Sequence, residues 1–270
     1  MWVSVMDRQK LIKRIDETCN GLNVDKLPDG TLRPLGLDGV KGRISKVDSA
    51  FLNVVGLADL EEQNCKEVID SIIKIYGKEN KVFGWLVGPT SRPKNISGLL
   101  IDRGFKKVQE LSTSGMILED LGVNISTNDE YEIRKVDEEE FDRNISLITT
   151  SFGMGLTEDV ARVVMAMYKS QGRNSYLYLA YDRGNEKPVA FAASIMDKIN
   201  DLVILLGAGT LPEYRGKGIY SSLVARRLED AKSAGVHAAI IQAVKHTSAP
   251  ICAKLGFSTV CEIDFYLYNP

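Results

Sequence analysis

The apolar run Leu202 to Leu206 continues through Gly207 and Gly209 into LPEYRGKG at 211 to 218, and then into an amphipathic stretch from Gly218 to Ala234. An unbroken apolar run reads as a strand buried on both faces, and the stretch after it has helical spacing. This chain therefore contains a strand that feeds a helix through a basic, glycine-bearing loop. Such a loop favours an anion. The first amides of a helix have no intrahelical acceptor, the helix dipole is positive there, and Gly216 and Gly218 remove the side chains that would hold a phosphate away. Arg215 and Lys217 add positive charge.

Two nucleotide-binding motifs fail on spacing. Gly207-Ala208-Gly209 begins like a dinucleotide-binding fingerprint, but the third glycine is missing and Pro212 intervenes. The acidic residue about 20 positions on, Glu229, falls inside the helix rather than at a strand end. A Walker loop needs Ser or Thr after Gly-Lys, and Lys217 is followed by Gly218.

A second pattern spans the chain. DRGFKKVQE at 102 to 110 and KLGFSTVCE at 254 to 262 align without gaps at Gly, Phe, Val and Glu, 152 positions apart. TSRP at 90 to 93 and TSAP at 247 to 250 precede them. The order of elements also recurs. In the first half, Asp59 and Glu62 have capping-box spacing before an apolar stripe of Val68, Ile69, Ile72, Ile73 and Tyr76, with Gly77 at the expected stop. The strand VFGWLV at 82 to 87 and a helix from near Pro93 to Arg103 follow. In the second half, helix 218 to 234, strand 237 to 244 and helix 248 to 255 repeat that order. A degenerate tandem duplication accounts for this, and chance similarity of short strings is the competing reading.

Two domains fit a length of 270 residues. The polar, turn-rich GVNISTN at 122 to 128 marks the seam, giving domains at 1–125 and 129–270. In the second domain the pattern predicts strands at 131–136, 176–181, 188–196, 202–209, 237–244 and 258–268, and helices near 137–150, 158–170, 218–234 and 248–255. This is an α/β (α+β) chain, with a mixed, mostly antiparallel sheet flanked by helices in each domain.

A net charge of −2 leaves no electrostatic footprint for nucleic acid or anionic lipid, so a small molecule or a protein is the expected partner. No apolar run approaches the roughly 18 residues of a membrane span, and MWVSVM is too short for a signal peptide. The expected compartment is the cytoplasm. Cys19, Cys65, Cys252 and Cys261 are too scattered for a zinc site or a disulfide framework and read as reduced thiols, and no metal site is expected.

The loop resembles that of the GCN5-related N-acetyltransferases (GNAT family), whose signature is Arg or Gln, two residues, Gly, one residue, then Gly or Ala. Arg215, Gly218 and Tyr220 occupy those positions, preceded by Pro212-Glu213-Tyr214, and AKLGF at 253 to 257 resembles the family's short helix and Gly-Phe turn. The resemblance covers about the last 140 residues well and the first 120 weakly. It implies acetyl-coenzyme A as cosubstrate, its diphosphate on the amides of Arg215, Gly216, Lys217, Gly218, Ile219 and Tyr220, and its pantetheine arm along Ala208 to Thr210. It also implies a bulge that splays this strand from its neighbour, with which Gly207 and Gly209 are compatible. The implied reaction is acetyl transfer to an amine by direct attack in a ternary complex.

Three features depart from the family pattern. Tyr220 stands where glycine or alanine is preferred, and either points away from the ligand or obstructs it. Cys252 stands where the family often places a proton-donating Tyr, and a Cys on such a helix is more commonly packed than reactive. No carboxylate lies on the strand at 202 to 209, which leaves His246 as a candidate base, with a solvent-exposed loop residue as its alternative. Tyr266 and Tyr268 are further candidate donors. The first domain lacks the RGKG loop and is expected to shape the acceptor site or stabilise its partner, with Trp85 lining a pocket or packing in a core. The rival to an enzyme is a non-catalytic coenzyme A sensor or interaction protein on the same duplicated fold. The acceptor's identity is not encoded at this level.

Overall fold

The computed structural model describes residues 8–20, 27, 30–153 and 156–270. The chain start at 1–7 and the side chain of Cys19 lie outside the described residues. In chain order the first elements are α1 (Arg8–Asn20), β1 (Leu32–Pro34), β2 (Lys41–Ser45), β3 (Val54–Gly56), α2 (Glu62–Lys78) and β4 (Phe83–Val87). Then come α3 (Ile96–Ile101), β5 (Lys106–Lys107), β6 (Thr113–Leu118), β7 (Tyr131–Val136), α4 (Glu138–Arg143), α5 (Ile145–Phe152) and α6 (Glu158–Lys169). The rest are β8 (Ser175–Asp182), β9 (Lys187–Asp197), β10 (Leu202–Thr210), α7 (Ile219–Ser233), β11 (Ala238–Val244), α8 (Ser248–Lys254) and β12 (Ser258–Tyr268). No described helix is long and apolar enough to cross a membrane.

The chain forms two compact units, each assembled from separate stretches. The first comprises 1–116, 242–250 and 259–270, and the second 117–241 and 251–258. The polar stretch at 122–128 therefore belongs to the second unit, while nearly all of β12 belongs to the first.

In the first unit β1 pairs antiparallel with β2 and β2 with β3, β3 runs parallel to β4, and β12 closes the other side of β4 from Asp264↔Val87 to Tyr268↔Phe83. The stripe of α2 buries Cys65, Ile69, Ile72 and Tyr76, spaced for one helical face. It meets Phe83, Trp85, Leu100, Phe105 and Tyr266 in a single core. Tyr76 stacks on Phe83 at 4.1 Å between ring centroids. Trp85 and Tyr266 are core residues, and Tyr268 packs partly buried against them. The capping box expected at Asp59 does not form. The cap residue is Glu61, whose side chain makes no capping bond, and Asp59 is drawn into an ion pair with Arg92 at 2.6 Å. Gly77 does not end the helix either, which runs on to Lys78 before Asn80 turns the chain at φ 50°.

In the second unit β7, β8, β9 and β10 pair antiparallel in that order, and β10 runs parallel to β11. Alternation along β8 and β9 feeds two cores. Leu177, Leu179, Phe191 and Ala193 pack with Phe141, Ile145, Ile148 and Met165 of α4 to α6, whereas Tyr178, Ala180, Ala190 and Ala192 pack with Ile219 and Leu223 of α7. The single helix expected at 137–150 is broken at Asn144. Its side-chain amide donates to the Glu140 carbonyl at 2.7 Å and its backbone turns out of the helical region, at φ −104° and ψ 25°.

The recurring Gly-Phe string adopts the same turn twice. Arg103, Gly104 and Phe105 donate their amides to Leu100, Ile101 and Leu100, and Leu255, Gly256 and Phe257 donate theirs to Cys252, Ala253 and Cys252. Gly104 at φ 89° and Gly256 at φ 97° supply the left-handed step that ends each short helix.

Candidate functional site

The site is built on β10. Its pairing with β11 runs from Leu202↔Ala238 to Leu205↔Ile241 and stops, while its pairing with β9 continues to Thr210↔Ala190. Between Leu206 and Ala208 the register with β9 shifts, so Gly207 is the extra residue of a bulge. From Leu206 onward one edge of β10 is released from backbone pairing. Its glycines admit close neighbours. A side chain at Gly207 would meet the Tyr168 hydroxyl at 3.0 Å, and one at Gly209 would meet Phe191 and Ser151 at 2.8 Å.

After Thr210 the chain turns through Pro212–Tyr214, where Tyr214 and Arg215 donate their amides to Leu211 and Pro212. Arg215 ties the loop to its surroundings, with Nε on the Thr210 carbonyl at 3.1 Å and Nη2 on the Ser151 carbonyl at 3.0 Å. Gly216 (φ 76°) and Gly218 (φ 77°) take the left-handed conformation. A side chain at Gly216 would meet nothing within 4 Å, and one at Gly218 only Asn128 at 3.9 Å, so both glycines face open space. Lys217 is exposed, its Nζ 4.7 Å from the centre of the Tyr214 ring. Asn128 braces the loop from outside, donating its side-chain amide to the Lys217 carbonyl at 3.0 Å and its backbone amide to the Ser222 hydroxyl at 3.1 Å.

The amides of Gly216, Lys217, Gly218, Ile219 and Ser221 donate to no protein acceptor; the first helical bond here runs from Ser222 to Gly218. These donors converge at the positive end of α7, with the Ile219 side chain fully packed beneath them. Chemically the segment can hold a diphosphate on its amides and an extended chain along the open edge of β10.

Tyr220 points into the second unit. Its hydroxyl lies 3.5 Å from Cys252 Sγ, and the loop's outer face is left clear of its ring. Beside it stands Arg227, which is wholly buried. Its Nε donates to Leu223 at 3.0 Å, and its Nη1 donates to Ala193 at 3.2 Å and to Leu206, at the bulge, at 3.3 Å. Burial pulls the guanidinium below its usual range, and Tyr220, Tyr178 and Cys252 facing it partly offset this. Burial pushes the Cys252 thiol up, against the Tyr220 hydrogen bond and the Arg227 charge.

Among the residues expected from the sequence, Ala208, Thr210, Arg215, Gly216, Lys217, Gly218, Ile219 and Tyr220 form one continuous segment, with Cys252 against Tyr220. His246 lies on the exposed turn at 245–247, among the residues of the first unit. Among the described residues no three His, Cys, Asp or Glu side chains gather to hold a metal ion.

Residues 132–260 match the family model described as Acetyltransferase (GNAT) domain. This segment belongs to the GNAT family. The fold is shared by a GCN5-related N-acetyltransferase from Kribbella flavida, 13% identical with a TM-score of 0.66 over 100% of this chain and 97% of that one. A functionally unknown conserved protein from Staphylococcus epidermidis ATCC 12228 is 16% identical, with a TM-score of 0.61 over 89% and 94% of the two chains. A tandem GNAT protein from the clavulanic acid biosynthesis pathway is 11% identical, with a TM-score of 0.59 over 97% and 95%. No match is found among curated proteins.

Three residues of the GNAT domain escaped sequence reasoning. Asn128 read as part of a linker, Ser151 as one more helical residue, and Arg227 as a charge on a helix surface. None carries a local signal, because each acts through a single long-range contact.

Proposed function

We propose that the second unit binds acetyl-coenzyme A, with its diphosphate on the amides from Gly216 to Ser221 and its pantetheine arm along β10 from Leu206 to Thr210. It passes the acetyl group to an amine by direct attack in a ternary complex. One observation carries this reading. A strand edge released from pairing runs, within one segment, into a row of amides without protein acceptors. The residues fit the group, because both loop glycines open onto space a phosphate can enter and Lys217 is exposed beside them. Arg215 serves by fixing the loop rather than by meeting the anion directly.

β10 carries no ionisable side chain. The acceptor must therefore lose its ammonium proton to water or to a group off this strand before its nitrogen can attack. His246 and Cys252 remain the acid and base candidates from the sequence, and of these Cys252 lies within the second unit. In this reading residues 1–125 are a degenerate copy and 129–270 the copy that kept the cofactor loop. The protein acts in the cytoplasm on a small-molecule or other amine, without nucleic acid or membrane as partner.

The test is calorimetric titration with acetyl-coenzyme A, followed by a thiol-release assay against a panel of amines. A Kd in roughly the micromolar range, typical of enzyme–substrate pairs, together with thiol release by at least one amine, is the expected outcome. Absence of binding by the folded protein sinks the reading.

A further inference from the structure

The environment of Tyr220 is not what an obstructing side chain in a cofactor loop would have. Its backbone lies in the first turn of α7, directly after the open amides, while its hydroxyl reaches the Cys252 thiol of α8 at 3.5 Å. The Arg227 guanidinium that Tyr220 faces also holds the carbonyl of Leu206, the residue at which β10 leaves its pairing with β11. The phenol is thus one guanidinium away from the start of the open strand edge. Arg227 Nη2 is buried and has no hydrogen-bond partner. A buried N–H of this kind is costly unless something accepts from it, and an anionic oxygen formed beside it would do so.

Resting on the acetyl-transfer reading above, we infer that the Tyr220 hydroxyl delivers the proton to the sulfur that departs from the thioester. The acceptor nitrogen's lone pair attacks the carbonyl carbon and forms the C–N bond. The C–S bond then breaks, and its electron pair goes to sulfur, which takes the proton from Tyr220. The acquired positive charge on nitrogen is lost as a proton to water, and water returns a proton to the phenolate. The balance is amine plus thioester giving amide plus thiol, with no other reactant.

A phenol is ordinarily a weaker acid than a thiol, about 10 against about 8.5, so a tyrosine alone donates to a thiolate reluctantly. A guanidinium at its side lowers the cost of the phenolate. The groups facing this pair are Cys252 from α8 and Tyr178 from β8, with Asp230 bonded to the Tyr178 hydroxyl at 2.9 Å. Cys252 is the weaker candidate for the same task, because it is completely buried and burial holds its proton on.

The decisive variant is Tyr220→Phe, which keeps the ring and its packing; circular dichroism and thermal unfolding verify its fold. Acetyl-coenzyme A affinity is expected within about twofold of the parent, with kcat for an accepted amine lower by about 100-fold. A second readout needs no acceptor. Free coenzyme A is bound and its thiol titrated by thiolate ultraviolet absorbance, as a liganded-minus-unliganded difference. A donor hydroxyl favours the thiolate, so the bound thiol should titrate on the order of one pH unit higher in Tyr220→Phe than in the parent. Unchanged turnover or an unchanged titration midpoint overturns the assignment. Failure of the parent itself to bind coenzyme A overturns the acetyl-transfer reading, and this inference with it.

Discussion

Each unit contains a pair of parallel strands joined by a long helix, and the two strand-to-helix connections have been put to opposite uses. In the first unit the chain passes from Gly56 to Glu62 through Leu57, which sits at φ 50°, and two of its amides are consumed by protein: Asp59 donates to Gly39 and Leu60 to Arg92. Leu60 packs in the core, and the helix opens with Glu61 and Glu62, which repel an anion. In the second unit the chain passes from Thr210 to Ile219 by a longer route with two left-handed glycines, and five amides are left without acceptors. A turn that meets its own hydrogen-bonding needs is structural. A turn that leaves them unmet, on an exposed loop at the positive end of a helix, is a binding site. The difference lies in a few residues of connection and not in the frame around them.

The largest expected effect sets the structural side of this comparison. Ile69→Ala empties a fully buried position on α2 and should cost about 2–5 kcal/mol in urea denaturation. The acetyl-coenzyme A affinity of the folded protein should be unchanged; a matching loss of affinity would break the division between the two connections. Gly218→Val imposes a branched side chain at φ 77° and fills the open face of the loop. Calorimetry should show affinity weaker by about 100-fold, equivalent to about 2.7 kcal/mol, whereas Asp59→Ala in the other connection should leave it intact. Arg215→Ala removes the ties to Thr210 and Ser151 and should weaken binding about 10-fold. A much larger loss would mean that this guanidinium meets the anion itself. Asn128→Ala releases the brace on the Lys217 carbonyl, for a loss of about threefold in the same assay. The smallest change sharpens the first connection further. Glu61→Ser supplies the capping oxygen that α2 lacks and should raise stability by about 0.5–1 kcal/mol with no effect on the ligand.

Much of the second unit was legible in the sequence because its elements report burial through local periodicity. The strands from β7 to β12 and the start of α7 after Gly218 lie within two residues of their expected places. The bulge was foreshadowed by Gly207 and Gly209, since glycine in an apolar strand marks irregular pairing. Periodicity does not reveal which strand lies beside which, so the pairing of β12 with β4 had no signal. Nor does it identify a polar residue that bonds across a long separation. Asp59 had the right spacing for a cap and was claimed by Arg92, and Arg227 looked like solvated charge because its acceptors, Ala193 and Leu206, come from other strands. Tyr220, awkward by the motif, makes sense only once its hydroxyl is seen against Cys252.

The closing of β4 by residues 264 to 268 also bears on when the first unit can become itself. Residues up to 116 leave the ribosome well before Tyr266, a member of the core around Trp85 and Phe83, has been made. Until then β4 presents an unpaired edge next to an unfilled apolar site, a combination that invites wrong strand partners. Protection of the first unit from proteolysis should therefore appear in stalled nascent chains only once β12 has emerged. The order in which this protein is written differs from the order in which it can be finished.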